Sequence, residues 1–284
     1  MEALLISMIP MIGWGMMWFF ATKATREMDP FQSQFLFQLV GIPMLLLLLP
    51  FVFRGIQTEN LPLIIGLGFF ETFVLTLYFY ALKIGKLTIV GPIGEMYLLV
   101  TILLTILITH ESLYFLKGVA IISVLAGVIL LGLQLNELKK SKKISLYQGV
   151  LPALIAAFGT GIFVFFVGIS SRVNGWYMTS LGIRVMIVLT ILVIFLIQKK
   201  NLKNIFKNVP WRWVLPAAFF DVLAFTTFNY ALMKYEISYV SVMSAGAPVI
   251  TVVLAYLFLK ERIIWYQIIG LFLVIGGIII LNLP

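Results

Sequence analysis

The sequence predicts an all-α membrane protein, ten transmembrane helices arranged as two inverted five-helix repeats. Three observations carry this expectation. Of 284 residues, 62% are apolar and 11% charged, against roughly 25% charged in soluble domains, so a water-soluble core is excluded. Ten apolar runs of about 20 residues or more follow one another, each long enough at a helical rise of about 1.5 Å to cross a hydrocarbon layer of about 30 Å. The carboxyl-terminal half also repeats the amino-terminal half at an offset of 150 residues, matching Tyr80-Ala81-Leu82 to Tyr230-Ala231-Leu232, Glu71 to Asp221 and Glu111 to Glu261. Because five crossings is an odd number, the second copy enters the bilayer from the opposite side, an architecture found chiefly in secondary transporters.

The first repeat (1–135) holds runs at 3–22, 31–53, 61–82, 87–109 and 113–135. A basic loop at 136–145 joins it to the second repeat (146–284), with runs at 146–170, 176–197, 213–233, 237–259 and 263–283. None shows the strict polar/apolar alternation of a barrel strand, and in lipid every backbone donor needs an internal partner, so helices are predicted. Before the first run, Met1-Glu2 supplies no basic region, and no small-residue cleavage pattern precedes Lys23, so this run is expected to remain as a span. The second run carries Gln34 and Gln38 one turn apart, a polar face that turns toward the bundle interior. Glu71 lies at the middle of the third, with Tyr78 seven residues on and therefore on the same face. Gly91-Pro92-Ile93-Gly94-Glu95 interrupts the fourth. There proline removes an intrahelical donor and the glycines loosen the turn beside a carboxylate, which predicts a kink or local unwinding. Glu111 precedes the fifth run and is read as a cap on the helix that follows.

In the second repeat, Phe158-Gly159 is set opposite Trp14-Gly15, and Ser180 and Arg184 opposite Gln34 and Gln38. Asp221 lies midway along the eighth run, followed by Phe225, Phe228 and Asn229. Ala247-Pro248 marks the ninth, and Glu261 precedes the tenth as a second cap. Gly118, Gly127, Gly270, Gly276 and Gly277 concentrate small residues on the fifth and tenth helices, permitting close approach to a neighbour or, in an oligomer, to another protomer. Trp176, Trp211, Trp213 and Trp265 fall near run ends, where an indole anchors at the interface.

The net charge of +9 resides in short connectors, with no soluble domain to present a groove, so nucleic acid is not an expected partner. Sidedness explains these charges. Fifteen cations, among them Lys23, Arg26, Lys83, Lys199 and Arg212, follow odd-numbered helices, against Arg54, Lys117, Arg172 and Lys234 on the other side. By the positive-inside rule both chain ends lie outside. Cysteine is absent, which excludes disulfides and thiolate chemistry. The single histidine pair His110-Glu111 lacks the second His of a zinc protease, position 114 being Tyr114. No Walker A pattern and no Gly-x-Ser-x-Gly elbow occur, so neither ATP hydrolysis, a metal nor any other cofactor is expected.

Taken together, Trp14-Gly15, the two Tyr-Ala-Leu closures, Ala247-Pro248, Glu111 with Glu261, and Gly270 with Gly276-Gly277 resemble the drug/metabolite transporter superfamily, EamA type, over nearly the whole chain. The resemblance implies a ten-helix carrier in which helices 1 to 4 and 6 to 9 surround a central path and helices 5 and 10 pack at the periphery. It also implies cytoplasmic termini, the reverse of the charge count. The first copy departs from the pattern, with Tyr97-Leu98 where the second has Ala247-Pro248. The expected location is the cytoplasmic membrane of a prokaryote.

Three carboxylates, Glu71, Glu95 and Asp221, lie inside runs, where leaving a charge costs at least about 2.5 to 3.5 kcal/mol. Desolvation favours the neutral acid, so Glu71 and Asp221 are candidate proton-coupling residues, and Trp14, Gln38, Tyr78, Glu95, Arg184 and Asn229 are candidates for substrate binding. The structural alternative pairs one acid with Arg184 and bonds the others across helices to Gln38, Asn229 or threonines. Three acids against Arg184 still leave a surplus of negative charge. These residues point to a secondary active transporter that moves a small organic metabolite, amino-acid-like or amine-bearing, by alternating access with proton coupling. The rival classes are an intramembrane enzyme acting on a lipid headgroup, and a lipid scramblase or structural membrane subunit.

Overall fold

The computed structural model describes residues 2–52, 59–85, 87–132, 149–259 and 264–283, and every regular element among them is helical. In chain order these are α1 (Glu2–Glu27), α2 (Pro30–Leu46), α3 (Leu61–Ile84), α4 (Leu87–Glu95), α5 (Tyr97–Ile108), α6 (Phe115–Gly132), α7 (Val150–Val173), α8 (Gly175–Ile197), α9 (Trp211–Lys234), α10 (Ile237–Ser244), α11 (Ala247–Leu259) and α12 (Trp265–Leu281). Single helical turns follow α2 and α8 at Leu49–Val52 and Leu202–Ile205. Local chemistry sets several ends. Asp29 accepts hydrogen bonds from the Phe31 and Gln32 amides just where Pro30 opens α2, and Asn60 caps α3 through the Leu63 amide, each satisfying donors that a helix start leaves unpaired.

By length and composition six spans can cross a membrane: α1, α3, α7, α8, α9 and the combined Ile237–Phe258. The second predicted run does not continue to 53, because α2 ends at Leu46, three residues after Pro43. The fourth and ninth runs are each two helices. They break at the same point of the repeat. Met96 N donates to Ile93 O and Leu99 N to Met96 O, while 150 residues on Gly246 N donates to Met243 O and Val249 N to Gly246 O. Both are tight i to i+3 turns of the kind that interrupt a helix locally. The kink expected at 91–95 is thus found at its carboxyl end.

Packing between the halves is reciprocal. Helix α1 packs on α9, α10 and α11 as α7 packs on α3, α4 and α5, and α2 meets α9 as α8 meets α3. Thr101 donates to Gly161 O at 3.1 Å, and its counterpart Thr251 donates to Gly15 O at 3.2 Å. This pairs Gly15 with Gly161, two residues beyond the Gly159 expected opposite it, and corrects the register of the first span. Direction is fixed by the ends of α3: Asn174, closing α7, accepts from the Asn60 amide at its start, whereas Lys83 near its finish donates to Met28 O just beyond α1. The corresponding helices α1 and α7 therefore point in opposite directions.

Helices α6 and α12 pack on each other. Ser123 donates to Leu273 O, its own position in the other copy, at 2.7 Å. Any Cβ on Gly127 would lie 2.7 Å from Gly270 O, and one on Gly277 2.9 Å from Ala120 O. Three of the five glycines offered for an oligomer are thus used inside the chain, while Gly118 and Gly276 have open space beside them. Among described residues the outer surface is heavily aliphatic and aromatic, with Leu5, Phe51, Leu107, Phe115, Ile122 and Phe272 exposed, and the polar side chains Gln34, Gln38, Ser180, Arg184 and Asn229 are buried. That inversion of the soluble pattern suits a lipid solvent. Trp176, Trp211, Trp213 and Trp265 all sit in first turns of helices.

Glu111 does not cap the helix that follows it. Its two carboxylate oxygens accept from the Ile237 and Ser238 amides at 2.8 and 3.1 Å, so it caps α10 in the other half, where the exposed amides and helix dipole attract an anion. Lys117 lies 3.9 Å and Arg172 4.0 Å from the same carboxylate, and Lys117 also pairs with Glu236 at 2.6 Å. The companion expectation for Glu261, the basic loop 136–145, and the cations Arg54, Lys86, Lys260 and Arg262 lie outside the described residues.

Candidate functional site

An internal cavity of about 110 Å³ is lined by residues from α1, α2, α3, α4, α5, α7, α8 and α9, room for several waters or a small solute. Its polar wall contains Gln38, Glu71, Glu95, Arg184 and Asp221, and its aromatic wall contains Trp14, Trp18, Tyr78, Tyr97, Phe163, Phe225 and Phe228. Helical spacing brings these groups together: Trp14 and Trp18 are one turn apart on α1, Glu71 and Tyr78 two turns apart on α3, and Asp221, Phe225 and Phe228 recur on one face of α9.

The rings meet edge to face or stacked. Trp14 lies 4.8 Å from Phe228 and Trp18 4.9 Å from Tyr78, and Phe163 stacks on Phe225 at 6.3 Å, arrangements that the ring quadrupole favours. Gly94 permits the narrowing at Glu95, since a Cβ there would lie 2.6 Å from the Tyr78 hydroxyl oxygen.

Charge is distributed unequally. Arg184, 1% exposed, donates from one nitrogen, Nη1, to Asp221 Oδ2 at 2.9 Å and to Gln38 Oε1 at 2.6 Å. Its guanidinium lies 6.0 Å from the Phe225 ring centroid, within cation–π range, and its Nε has no hydrogen-bond partner among the described residues. A Cβ on Gly41 would come within 2.7 Å of Nη1, so that glycine gives the guanidinium its space. Glu71 and Glu95 are buried as deeply as Asp221, yet neither carboxyl group takes a hydrogen bond or ion pair from a described residue, and Glu71 Oε2 is fully enclosed. The backbone oxygen of Glu71 is held by the Gln34 amide, which is itself fixed by Thr76.

Seven of the eight residues expected at the site therefore share one cavity: Trp14, Gln38, Glu71, Tyr78, Glu95, Arg184 and Asp221. The exception is Asn229. It is fully buried but turns away from the cavity, donating to Ser180 Oγ at 2.7 Å, because a position one residue past Phe228 falls on another face of α9. Met17, Trp18, Tyr97, Thr160, Phe163 and Val164 line the cavity without having been singled out. For Trp18 the signal was available as the i+4 neighbour of Trp14, and Thr160 and Val164 stand at the positions of Trp14 and Trp18 once Gly161 is aligned with Gly15. Tyr97 was visible only as a departure from the second copy.

Comparison with known proteins agrees with this architecture. A protein of Methanocaldococcus jannaschii, itself uncharacterized, is 32% identical over 134 residues, which is 47% of this chain and 95% of that one. A solved crystal structure superposes with a TM-score of 0.76 at 20% identity, covering 99% of this chain and 96% of the other, and so shares the fold. Residues 1–133 and 147–283 each match the EamA-like transporter family. On these matches, an integral membrane protein with this internal cavity belongs to the EamA-like transporter family, within the drug/metabolite transporter superfamily.

Proposed function

We propose that this protein is a secondary carrier, not an enzyme, for a small amine-bearing organic solute, cationic or zwitterionic, and that it is driven by proton exchange at the cytoplasmic membrane of a prokaryote. The repeats 1–135 and 146–284, tethered by 136–145, rock against each other about the central cavity. The observation that carries this reading is the pair Glu71 and Glu95, two buried carboxyl groups with no hydrogen-bonding partner among the described residues, facing a cavity walled by aromatic rings. An isolated carboxylate in a dry site is costly. A proton relieves that cost on Glu71, and a solute ammonium relieves it on Glu95, with Trp18, Tyr78 and Tyr97 offering π faces to the cation. Trp14 and Gln38 shape the remaining wall, while Asp221 is neutralised by Arg184.

The test is uptake into proteoliposomes with an imposed pH gradient, using radiolabelled amines and amino acids. Flux of an amine-bearing solute should follow the gradient, collapse with a protonophore, and disappear in Glu71→Gln while that protein still purifies as a folded monodisperse species. Gradient-independent flux, or full gradient-driven flux in Glu71→Gln, contradicts the proton role, and absence of flux for every amine contradicts the substrate class.

A further inference from the structure

The two copies place different chemistry at equivalent positions of the cavity. With Gly15 aligned to Gly161, Gln38 corresponds to Arg184, and at the later offset Glu71 corresponds to Asp221. Each half thus carries one acid of this equivalent pair, but only the second carries the cation. In the present arrangement Arg184 sits with the acid of its own half and reaches across to Gln38, and Glu71 is left with an enclosed, unpartnered oxygen.

We propose that Arg184 is a mobile counter-ion that alternates between Asp221 and Glu71, each pairing belonging to one facing of the carrier. This rests on the carrier reading, and the geometry supplies the route. Gln38 on α2 and Asp221 on α9 both lie within hydrogen-bonding distance of one Nη1, so the α2–α9 contact is close. If the halves exchange conformations, as an inverted repeat does in alternating access, the relation between Gln38 and Asp221 becomes the relation between Arg184 and Glu71. The second contact already exists in outline: α8 packs on α3, and one turn before Glu71 a Cβ on Gly68 would lie 2.9 Å from Ile183 O, beside Arg184.

The titratable groups that share the cavity with Arg184 are Asp221 on α9, in direct contact with it, Glu71 and Tyr78 on α3, Glu95 on α4, and Tyr97 on α5, whose hydroxyl donates to Ser241 O. Glu95 has no counterpart in the exchange, because position 245 is Ala245, and it stays available to the solute. The Nε of Arg184 has no partner among the described residues, a donor not committed to the present pairing. A proton or solute cation arriving at the vacated acid completes each state, so a transition with neither acid neutralised is resisted.

The absence of native cysteine makes the test direct and independent of the solute. Thr25→Cys and Ser171→Cys place single thiols at equivalent, fully buried positions near the ends of α1 and α7, which lie at opposite ends of α3. Maleimide labelling of the purified protein then reads which end is open. Glu71→Gln holds Arg184 on Asp221 and Asp221→Asn releases it to Glu71. The ratio of labelling at the two reporters should therefore shift in opposite directions, each by about tenfold. In an Arg184→Gln background, Glu71→Gln should shift nothing, an arm that decides the matter even when Asp221→Asn fails to fold. Shifts in the same direction, no shift in Glu71→Gln, or an undiminished Glu71→Gln effect without Arg184 would overturn the exchange. The proteoliposome flux of the parent protein judges the carrier reading separately.

Discussion

Glu95 and Asn229 illustrate how far one side chain's role depends on the direction it points. Both are buried and polar, but Glu95 faces the cavity and Asn229 is held by Ser180. Glu95→Gln should therefore raise KM for a cationic solute about tenfold or more, the effect of losing a charge-assisted contact worth about 1.5 to 3 kcal/mol, with little change in melting temperature. Asn229→Ala should do the reverse. It removes the donor to Ser180 Oγ, which keeps its own bond to Trp176 O, and lowers stability by about 0.5 to 1.5 kcal/mol, read as a lower Tm in detergent, while KM is unchanged. The surplus of acids was legible from three carboxylates set against Arg184. The identity of the paired acid was not, since Glu71 and Asp221 are equivalent in sequence and are distinguished only by which of them Arg184 reaches.

Helix ends show the same limit at the next scale. Sequence spacing makes Glu111 look like a cap for α6, four residues on, because it precedes an apolar run. In space the amides it satisfies belong to Ile237 and Ser238, a contact between residues more than 120 positions apart. Its carboxylate thus ties the start of the fifth span to the ninth, with Lys117 and Arg172 beside it. Glu111→Ala should cost about 1 to 2 kcal/mol through the lost cap, with Lys117 keeping its 2.6 Å pair with Glu236. A melting curve should show the loss, and Glu111→Gln should recover part of it. The helix breaks were partly legible: Gly91 to Glu95 signals weakness in the fourth span, but the location of the turn at Met96 became evident only from its match to Gly246.

At the scale of the molecule, each half completes the other. Helix α1 is packed on α9, α10 and α11, and α7 on α3, α4 and α5, so the main interfaces of each repeat's first helix lie in the opposite repeat. Residues 1–135 expressed alone should accordingly aggregate or be degraded, whereas co-expression with 146–284 should yield a complex recovered through a tag on either piece. Stable, monodisperse isolated halves would contradict this interdependence. By itself the sequence determined that the chain is helical and membrane-spanning, that it is duplicated, and that carboxylates lie within its apolar runs. Hydropathy, length and charge rarity are local quantities, and lipid punishes every violation of them. Only the tertiary structure decided which acid Arg184 neutralises, that Asn229 stays off the cavity, that Gly127, Gly270 and Gly277 serve an internal seam, and that Glu111 caps a helix in the other repeat. Those outcomes depend on the rotation of each helix about its axis and on partners more than a hundred residues away, which no local pattern encodes.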